Sequence, residues 1–173
     1  MNVKSSTAVL LWAICVATRA NAGPFEDGLA ADIRGDNATA VQLWRPLAER
    51  GDARAQLSLA MMYHYAHQGV PLDHAEAAKW YRKAADQGNA PAQARLGLMY
   101  FRGQGVPRDY VQAYKWNTLA AASLPEGDPL RQTASLARDM AAQQLMPGQI
   151  AEAQKLAREW RSTIQKGKLP PAR

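Results

Sequence analysis

Short amphipathic segments alternate with turn signals along most of the chain. In one such segment, Leu59, Met62 and Tyr63 are spaced i, i+3 and i+4, which places them on one face of a helix. Gly69 and Pro71 follow this segment. Glycine accepts the left-handed backbone of a helix C-terminus and proline interrupts helical hydrogen bonding, so these residues end the segment. The pattern therefore predicts short helices joined by sharp turns.

The same pattern returns at a fixed interval. Trp44, Trp80 and Trp116 are spaced 36 residues apart. Their neighbours recur as well, with Gly69-Val70-Pro71 matched by Gly105-Val106-Pro107 and Asp73 matched by Asp109. A period of about 20–50 residues is typical of solenoids, in which each unit buries its apolar face only against its neighbours. We therefore predict that the three tryptophans are buried between helices; an exposed, ligand-stacking tryptophan is the alternative.

Each repeat contains a start signal for its second helix. Asp73 and Asp109 are suited to cap a helix N-terminus, and Glu76 and Gln112 follow three residues later to complete a capping-box pattern. Together with the turns, these signals predict helices over about residues 53–65, 73–87, 90–101 and 109–123. Gly97 lies inside the third of these. Because glycine weakens a helix by about 1 kcal/mol relative to alanine, we expect another helix to approach closely there.

Two further helices follow the last repeat. The first carries Leu136, Met140 and Leu145 as its apolar positions, and the second has an apolar stripe that ends in Trp160 and Ile164. Because the open end of a solenoid would otherwise expose apolar surface, we expect this pair to cap the stack. The alternative is that the second stripe docks a partner.

Residues 1–22 have the pattern of a secretory signal. Lys4 supplies a positive charge, residues 8–17 form an apolar stretch, and Ala20-Asn21-Ala22 fits a small-residue cleavage site. The apolar stretch is too short for a transmembrane helix. We therefore expect cleavage after Ala22 and a periplasmic or secreted protein; a buried N-terminal helix is the alternative.

These signals together predict an all-α fold, an α-solenoid of antiparallel helix hairpins with a C-terminal capping helix pair. The predicted organisation is a signal peptide over 1–22, a degenerate N-terminal half-repeat over 23–52, repeats over 53–88 and 89–123, capping helices over 124–165 and a disordered basic tail over 166–173.

Charge and cysteine content exclude several classes of function. The net charge is +6, but the basic residues are scattered until the tail. Nucleic-acid binding needs a basic stripe or patch, so we expect no nucleic-acid partner, whereas an anionic cell-wall polymer remains open. The single cysteine, Cys15, lies inside the predicted signal, which leaves the mature chain without a thiol nucleophile. No serine-hydrolase, zinc-protease or phosphate-loop motif occurs, so we predict no catalysis and no cofactor.

All three histidines fall close together in the sequence. His64 and His67 lie near the end of one predicted helix, and His74 lies at the start of the next. Three histidines can form a zinc site. The alternative, which we favour, is a polar loop at a solvent-exposed turn.

The predicted first helices offer a surface for a partner. Residues spaced i, i+4, i+7 and i+11 on the face away from the core are matched between the two repeats, and in stacked hairpins such faces usually line the concave groove. The candidate groove residues are Arg54, Ser58, Met61, Tyr65, Arg95, Leu98 and Arg102. Arginine, methionine and tyrosine are enriched at interfaces, and a groove this short suits a peptide or a single helix. An ordinary solvated face is the alternative.

The second repeat resembles a known family motif. Its matching residues are Ala90, Leu96-Gly97, Tyr100, Gly103, Gly105-Val106, Asp109, Ala113, Trp116 and Ala120-Ala121. This pattern resembles the Sel1-like repeat, a tetratricopeptide-like helical repeat of the secreted bacterial type. The first repeat departs from it, because its loop is one residue longer and lacks the first loop glycine.

The resemblance implies a right-handed superhelix that acts as an adaptor for other proteins. It also implies an association with cell-wall enzymes, exopolysaccharide regulation or host contact, and it puts penicillin-binding activity in doubt, since the disulfide-forming cysteines of such members are missing. The leading hypothesis is a non-catalytic protein-interaction module of the bacterial cell envelope, with an unknown protein partner bound in the groove. The alternative is an envelope enzyme or a protein that binds or regulates cell-wall glycan, either peptidoglycan or exopolysaccharide.

Overall fold

The computed structural model describes residues 23–167, which form eight α-helices and no strand. The helices are α1 (Pro24–Ile33), α2 (Asn37–Glu49), α3 (Ala53–Tyr65), α4 (His74–Asp86), α5 (Ala90–Arg102), α6 (Tyr110–Ser123), α7 (Pro129–Ala142) and α8 (Pro147–Gln165). The predicted signal peptide and residues 168–173 of the predicted tail lie outside the described residues. The all-α solenoid class is confirmed.

The helices pack in chain order as a stack of hairpins. Within the repeats, α1 pairs with α2, α3 with α4, and α5 with α6, while α2 packs on α3 and α4 packs on α5 to join neighbouring hairpins. We call α1, α3 and α5 the first helices, and α2, α4 and α6 the second helices. No described helix combines the length and the hydropathy that a membrane span requires.

Aspartate or asparagine side chains start the helices from α2 to α7. The predicted caps Asp73 and Asp109 are confirmed, since their Oδ1 atoms accept hydrogen bonds from the backbone N–H groups of Glu76 and Gln112, each at 2.9 Å. The returning half of the capping box does not form. The backbone N–H of Asp73 instead donates to the carbonyl of Tyr63 at 2.9 Å, which ties the second helix to the first.

The periodic tryptophans form the buried seam of the stack. Trp44, Trp80 and Trp116 are 1%, 2% and 0% exposed, which confirms that they belong to the core. Small alanines surround them, so each indole ring fills the space between helices. Burying a large aromatic side chain contributes on the order of 2–3 kcal/mol, and one such side chain in each hairpin stabilises the whole array.

A repeated glutamine joins each hairpin to the one before it. Gln56 Nε2 donates to the carbonyl of Ala48 at 2.9 Å, and Gln93 Nε2 donates to the carbonyl of Ala85 at 3.1 Å. Both acceptors lie near the end of a second helix, where carbonyl groups lack intrahelical partners. Each carbonyl also accepts from the backbone N–H of the glycine after its helix, Gly51 or Gly88, so the buried amide adds a second hydrogen bond across the joint between repeats.

Gly97 allows the close helix approach that the sequence indicated. A methyl group at Gly97 would lie only 2.7 Å from Cγ of Asn117, a fully buried residue of α6. The missing side chain thus brings α5 and α6 together, which explains a glycine inside a helix.

The first repeat ends its first helix under strain. Gly103, the residue that follows α5, has φ +70°. Ala66, which follows α3 at the position where the loop glycine is missing, has φ +50°. A left-handed backbone costs a residue with a Cβ atom about 1–2 kcal/mol. The backbone conformation of this longer loop is therefore maintained by contacts with its surroundings, because Ala66 itself disfavours it.

The C-terminal helices take different positions on the stack. α7 packs on α5 and α6 and covers the end of the array, whereas α8 packs back onto α6. Trp160 of α8 meets Trp116 edge to face, with ring centroids 6.1 Å apart. The prediction for the buried side of α7 was wrong, because Leu136 and Met140 are 63% and 41% exposed. Its buried positions are Ala134, Ala137 and Ala141.

Candidate functional site

Arginine–aromatic stacks connect the successive first helices. The guanidinium of Arg54 on α3 lies 4.4 Å from the ring centroid of Phe25 on α1. One hairpin further on, the guanidinium of Arg95 on α5 lies 5.5 Å from the ring of Tyr65 on α3 and donates a hydrogen bond to its hydroxyl. Such stacks are attractive and hold the arginine side chains in place. The first-helix face therefore presents positioned cations.

The predicted groove residues all lie on this side of α3 and α5 but differ in exposure. Arg54, Tyr65 and Arg102 are exposed, and Ser58, Met61, Arg95 and Leu98 are partly buried. Met61 packs partly against the hydrophobic core and so has a structural role. The sequence did not indicate Phe25, because it lies in the irregular first hairpin.

Charge is distributed unevenly along this face. Arg54 pairs with Glu26 at 3.4 Å and with Asp52 at 3.6 Å, which neutralises its charge. Within residues 23–167, no ion pair engages Arg95 or Arg102. The cationic part of this face is therefore the arginine–tyrosine patch, which we define as Tyr65, Arg95 and Arg102.

The three histidines do not come together as a metal site. The rings of His64 and His74 meet edge to face at 5.2 Å, and His64 also lies 4.6 Å from Tyr65, whereas His67 takes no part in these ring contacts. Among the described residues, no three histidine, cysteine, aspartate or glutamate side chains are placed to hold a metal ion. The zinc candidate of His64, His67 and His74 thus lacks its geometry.

The pKa of His64 is influenced by the cationic patch beside it. The pKa of His64 is lowered from 6.5 to about 4, mainly by burial and in smaller part by the charges of His74, Arg95 and Arg102. The ring therefore stays neutral at physiological pH and packs as an aromatic group under the arginine–tyrosine patch.

This low pKa predicts a pH-dependent stability. Between pH 6.5 and about 4 the unfolded chain binds a proton at His64 that the folded chain does not bind, so the free energy of unfolding should fall as pH is lowered through this window. Substitution His64→Gln should reduce that decline. Urea unfolding measured from pH 7 to pH 4 checks this, and an equal decline in wild type and His64→Gln would refute it.

A depression that the sequence analysis missed lies beside α4. Its volume is about 500 Å³, and it is enclosed by one face of α4, the facing side of α5 and the loop before α6. Its polar lining includes Lys79, Arg82, Lys83, Asp86 and Tyr100. The i, i+3, i+4 spacing of the three cations could have indicated a charged helix face, but the wall contributed by α5 depends on how the helices pack.

Comparison with known proteins identifies the repeat. The sequence model of the Sel1 repeat family matches residues 20–52, 53–89 and 90–123. The first match includes the whole hairpin of α1 and α2, a segment that the sequence analysis treated as a half-repeat. No curated protein sequence shows significant similarity to the chain.

Two solved structures share the fold. One is c5321, described as a protective antigen present in uropathogenic Escherichia coli strains displaying an SLR fold. It is 28% identical over 91% of this chain, with a TM-score of 0.63, and the chain spans 32% of its length. The other is a Sel1 repeat protein from Oxalobacter formigenes, 33% identical over 67% of this chain and 86% of its own length, with a TM-score of 0.56. Sel1 repeat modules are generally protein-interaction scaffolds and typically non-catalytic. With three matched repeats in its sequence and a stack of helix hairpins in its structure, the chain belongs to the Sel1 repeat family.

Proposed function

We propose that this chain is a non-catalytic adaptor of the bacterial cell envelope that binds an acidic peptide or helix in its first-helix groove. The observation that supports this most directly is the arginine–tyrosine patch. Tyr65 is 50% exposed and is hydrogen bonded to Arg95 across two repeats. An exposed aromatic ring held beside cations has the composition of an interaction hot spot.

The charge of the patch indicates the chemistry of the partner. Arg95 and Arg102 have no carboxylate partner among the described residues, although Arg54 on the same face has two. A guanidinium binds a carboxylate through two parallel hydrogen bonds. Aspartate or glutamate side chains of a partner would therefore complete the patch, with Tyr65 supplying apolar contact area.

The size of the array limits the form of the partner. Three first helices provide one short groove, and Arg54 at one end of it is already paired with Glu26. An extended segment or one helix can lie along such a groove and be recognised through a few anchor side chains. We therefore propose a peptide-sized epitope on the partner protein.

Charge reversal in the patch tests this proposal. Affinity capture from an envelope extract should yield a discrete protein with wild type and lose it with the double variant Arg95→Glu/Arg102→Glu. Binding of the identified epitope peptide should weaken by about tenfold or more, because opposed charges replace the charge-assisted contacts. The matched control is Arg158→Glu/Arg161→Glu, which makes the same charge change on exposed positions of α8.

Two outcomes would contradict the proposal. One is equal capture of the protein by wild type and the patch variant. The other is retention of the chain on purified peptidoglycan with no protein partner, which would favour the cell-wall glycan alternative.

We also propose that the mature protein is periplasmic or secreted and begins at Gly23. Residues 1–22 support this through the charge, the apolar stretch and the cleavage site of a secretory signal. Cell fractionation followed by mass spectrometry of the N-terminus tests it. A cytoplasmic chain that retains residues 1–22 would refute it.

A further inference from the structure

We propose a second binding site in the depression beside α4, for a carboxylate-bearing sugar such as a uronic-acid unit. This depression is lined from a second helix, and its residues are distinct from the arginine–tyrosine patch. It can therefore be present or absent independently of the adaptor function.

The shape of the depression suits a small ligand. Its volume of about 500 Å³ falls within the range of about 300–1,000 Å³ that is typical of small-molecule sites. Val106 of the loop after α5 contributes apolar surface, with the fully buried Leu96 packed behind the wall, and Tyr100 contributes a hydroxyl group. An apolar floor with a few polar groups around it is the usual composition of a ligand site.

Arg82 is positioned before any ligand arrives. Its guanidinium lies 5.4 Å from the ring of Tyr100 and 5.3 Å from the ring of Trp116, and its Nη2 donates a hydrogen bond to the Tyr100 hydroxyl. A cation already held between two aromatic rings loses little conformational entropy when it binds an anion.

Two lysines on the same face of α4 add to this charge. The Lys83 ammonium lies 4.1 Å from the Trp80 ring centroid and has no ion pair among the described residues, and Lys79 pairs with Glu76 at 3.3 Å. Asp86 is the one acidic residue that lines the depression, against the three cations Lys79, Arg82 and Lys83. Glu76 offsets the charge of Lys79. Arg82 and Lys83 therefore supply the excess of positive charge over Asp86, so the depression is net cationic and suits an anionic group.

Comparison with the preceding repeat shows which residues of the depression belong to the scaffold and which are specific to this site. There, Arg45 Nη2 donates to the Tyr63 hydroxyl in the same way, so the arginine–tyrosine pair belongs to the scaffold of the stack. When the Arg45–Tyr63 pair is superposed on the Arg82–Tyr100 pair, which corresponds to an offset of 37 residues, the positions that match Lys79 and Lys83 are Gln42 and Pro46. Both of these residues are neutral. The lysines are thus what makes the depression beside α4 different from its neighbour.

Asp86 narrows the ligand class from any anion to one that also carries hydrogen-bond donors. Its carboxylate lines the depression and accepts hydrogen bonds only. Burial raises its pKa, against the opposing effect of Arg82 and Lys115, because the carboxylate is poorly hydrated. A plain anion would be repelled by it. A sugar acid presents a carboxylate to the lysines and hydroxyl donors to Asp86.

An NMR titration of the full-length mature protein tests the site. D-glucuronate should produce saturable amide shifts in α4 and α5, and D-glucose should produce none, because it lacks the carboxylate. The variant Lys79→Gln/Lys83→Gln should bind D-glucuronate about tenfold or more weakly, since two charge-assisted contacts are lost. Lys155→Gln/Lys166→Gln removes the same charge from α8 and from the residue that follows it, and this variant should bind as wild type does.

Three results would overturn the assignment. The first is the absence of saturable shifts with D-glucuronate, and the second is unchanged binding by the Lys79→Gln/Lys83→Gln variant. The third is binding of inorganic phosphate as tightly as D-glucuronate, which would show a general anion site. The arginine–tyrosine patch is intact in every variant used, so none of these results affects the adaptor proposal.

Discussion

Replacing Gly105 by alanine is expected to lower the free energy of unfolding by about 3 kcal/mol or more. Gly105 has φ +68°, a region that residues with a Cβ atom rarely adopt. An added methyl group would also overlap the backbone carbonyl of His74 and lie 2.7 Å from the backbone nitrogen of Ala75. Backbone atoms at the start of α4 cannot turn aside as a side chain could, so the loop or the helix must shift. Urea unfolding of Gly105→Ala measures the loss.

A second glycine isolates the steric part of this effect. Gly127 has φ +85°, but nothing lies within 4 Å of the position of an added methyl group. Gly127→Ala should therefore cost about 1 kcal/mol, the backbone term alone. If Gly105→Ala costs no more than Gly127→Ala, the contact between this loop and α4 is not as close as the structure describes.

Replacing Trp116 by alanine is expected to cost about 3–5 kcal/mol, the range for large aromatic side chains in cores. The Trp116 side chain is fully buried, and it packs against Trp160 of α8 on one side and the Arg82 guanidinium on another. Its loss leaves a cavity and removes the main aromatic contact that holds α8. Hydrogen exchange should therefore quicken across α8 more than across α3.

An exposed aromatic residue serves as the comparison for this variant. Tyr65 is 50% exposed, so Tyr65→Ala should cost less than about 1.5 kcal/mol. Thermal unfolding of both variants distinguishes the two cases. Similar melting temperatures for Trp116→Ala and Tyr65→Ala would mean that Trp116 is not a core residue.

The order and boundaries of the repeat helices could be predicted from local sequence signals, because each signal occurs in more than one repeat. Trp80 and Trp116 recur with the same glycines, prolines and caps around them, and the helices begin where Asp73 and Asp109 indicate. These signals act through backbone preference and hydrogen bonding within a few residues, so they can be read without knowing the packing. The same reasoning failed for the capping box, since Tyr63, a residue of the preceding helix, takes the N–H of Asp73.

The apolar pattern of α7 was misread for a related reason. Leu136 and Met140 are large apolar side chains, yet they are exposed, and the buried positions of α7 are alanines with Leu130 packed partly beside them. Small side chains let α7 lie close against α5 and α6, so close packing outweighed the size of the apolar group. Periodicity shows that a helix has an apolar face but not which of two such faces its neighbours cover.

For the candidate sites as well, the sequence predicted which residues share a surface but not which of their side chains meet. The sequence placed Tyr65 and Arg95 on one surface, but their mutual stacking depends on the offset between α3 and α5. It grouped three histidines by their proximity in the chain, whereas only His64 and His74 meet, because α3 and α4 are antiparallel and the loop carries His67 away.

The repeat period, the turns and the caps were enough to establish a helical solenoid with a tryptophan seam, because they depend on residues near one another in the chain. Three features could not be predicted in this way: the cationic depression beside α4, the lack of an acidic partner for the arginine–tyrosine patch among residues 23–167, and the fit of Gly105 against His74. Each depends on distances between residues of different helices. Those distances are set by how closely the helices pack, which is a property of all the side chains between them.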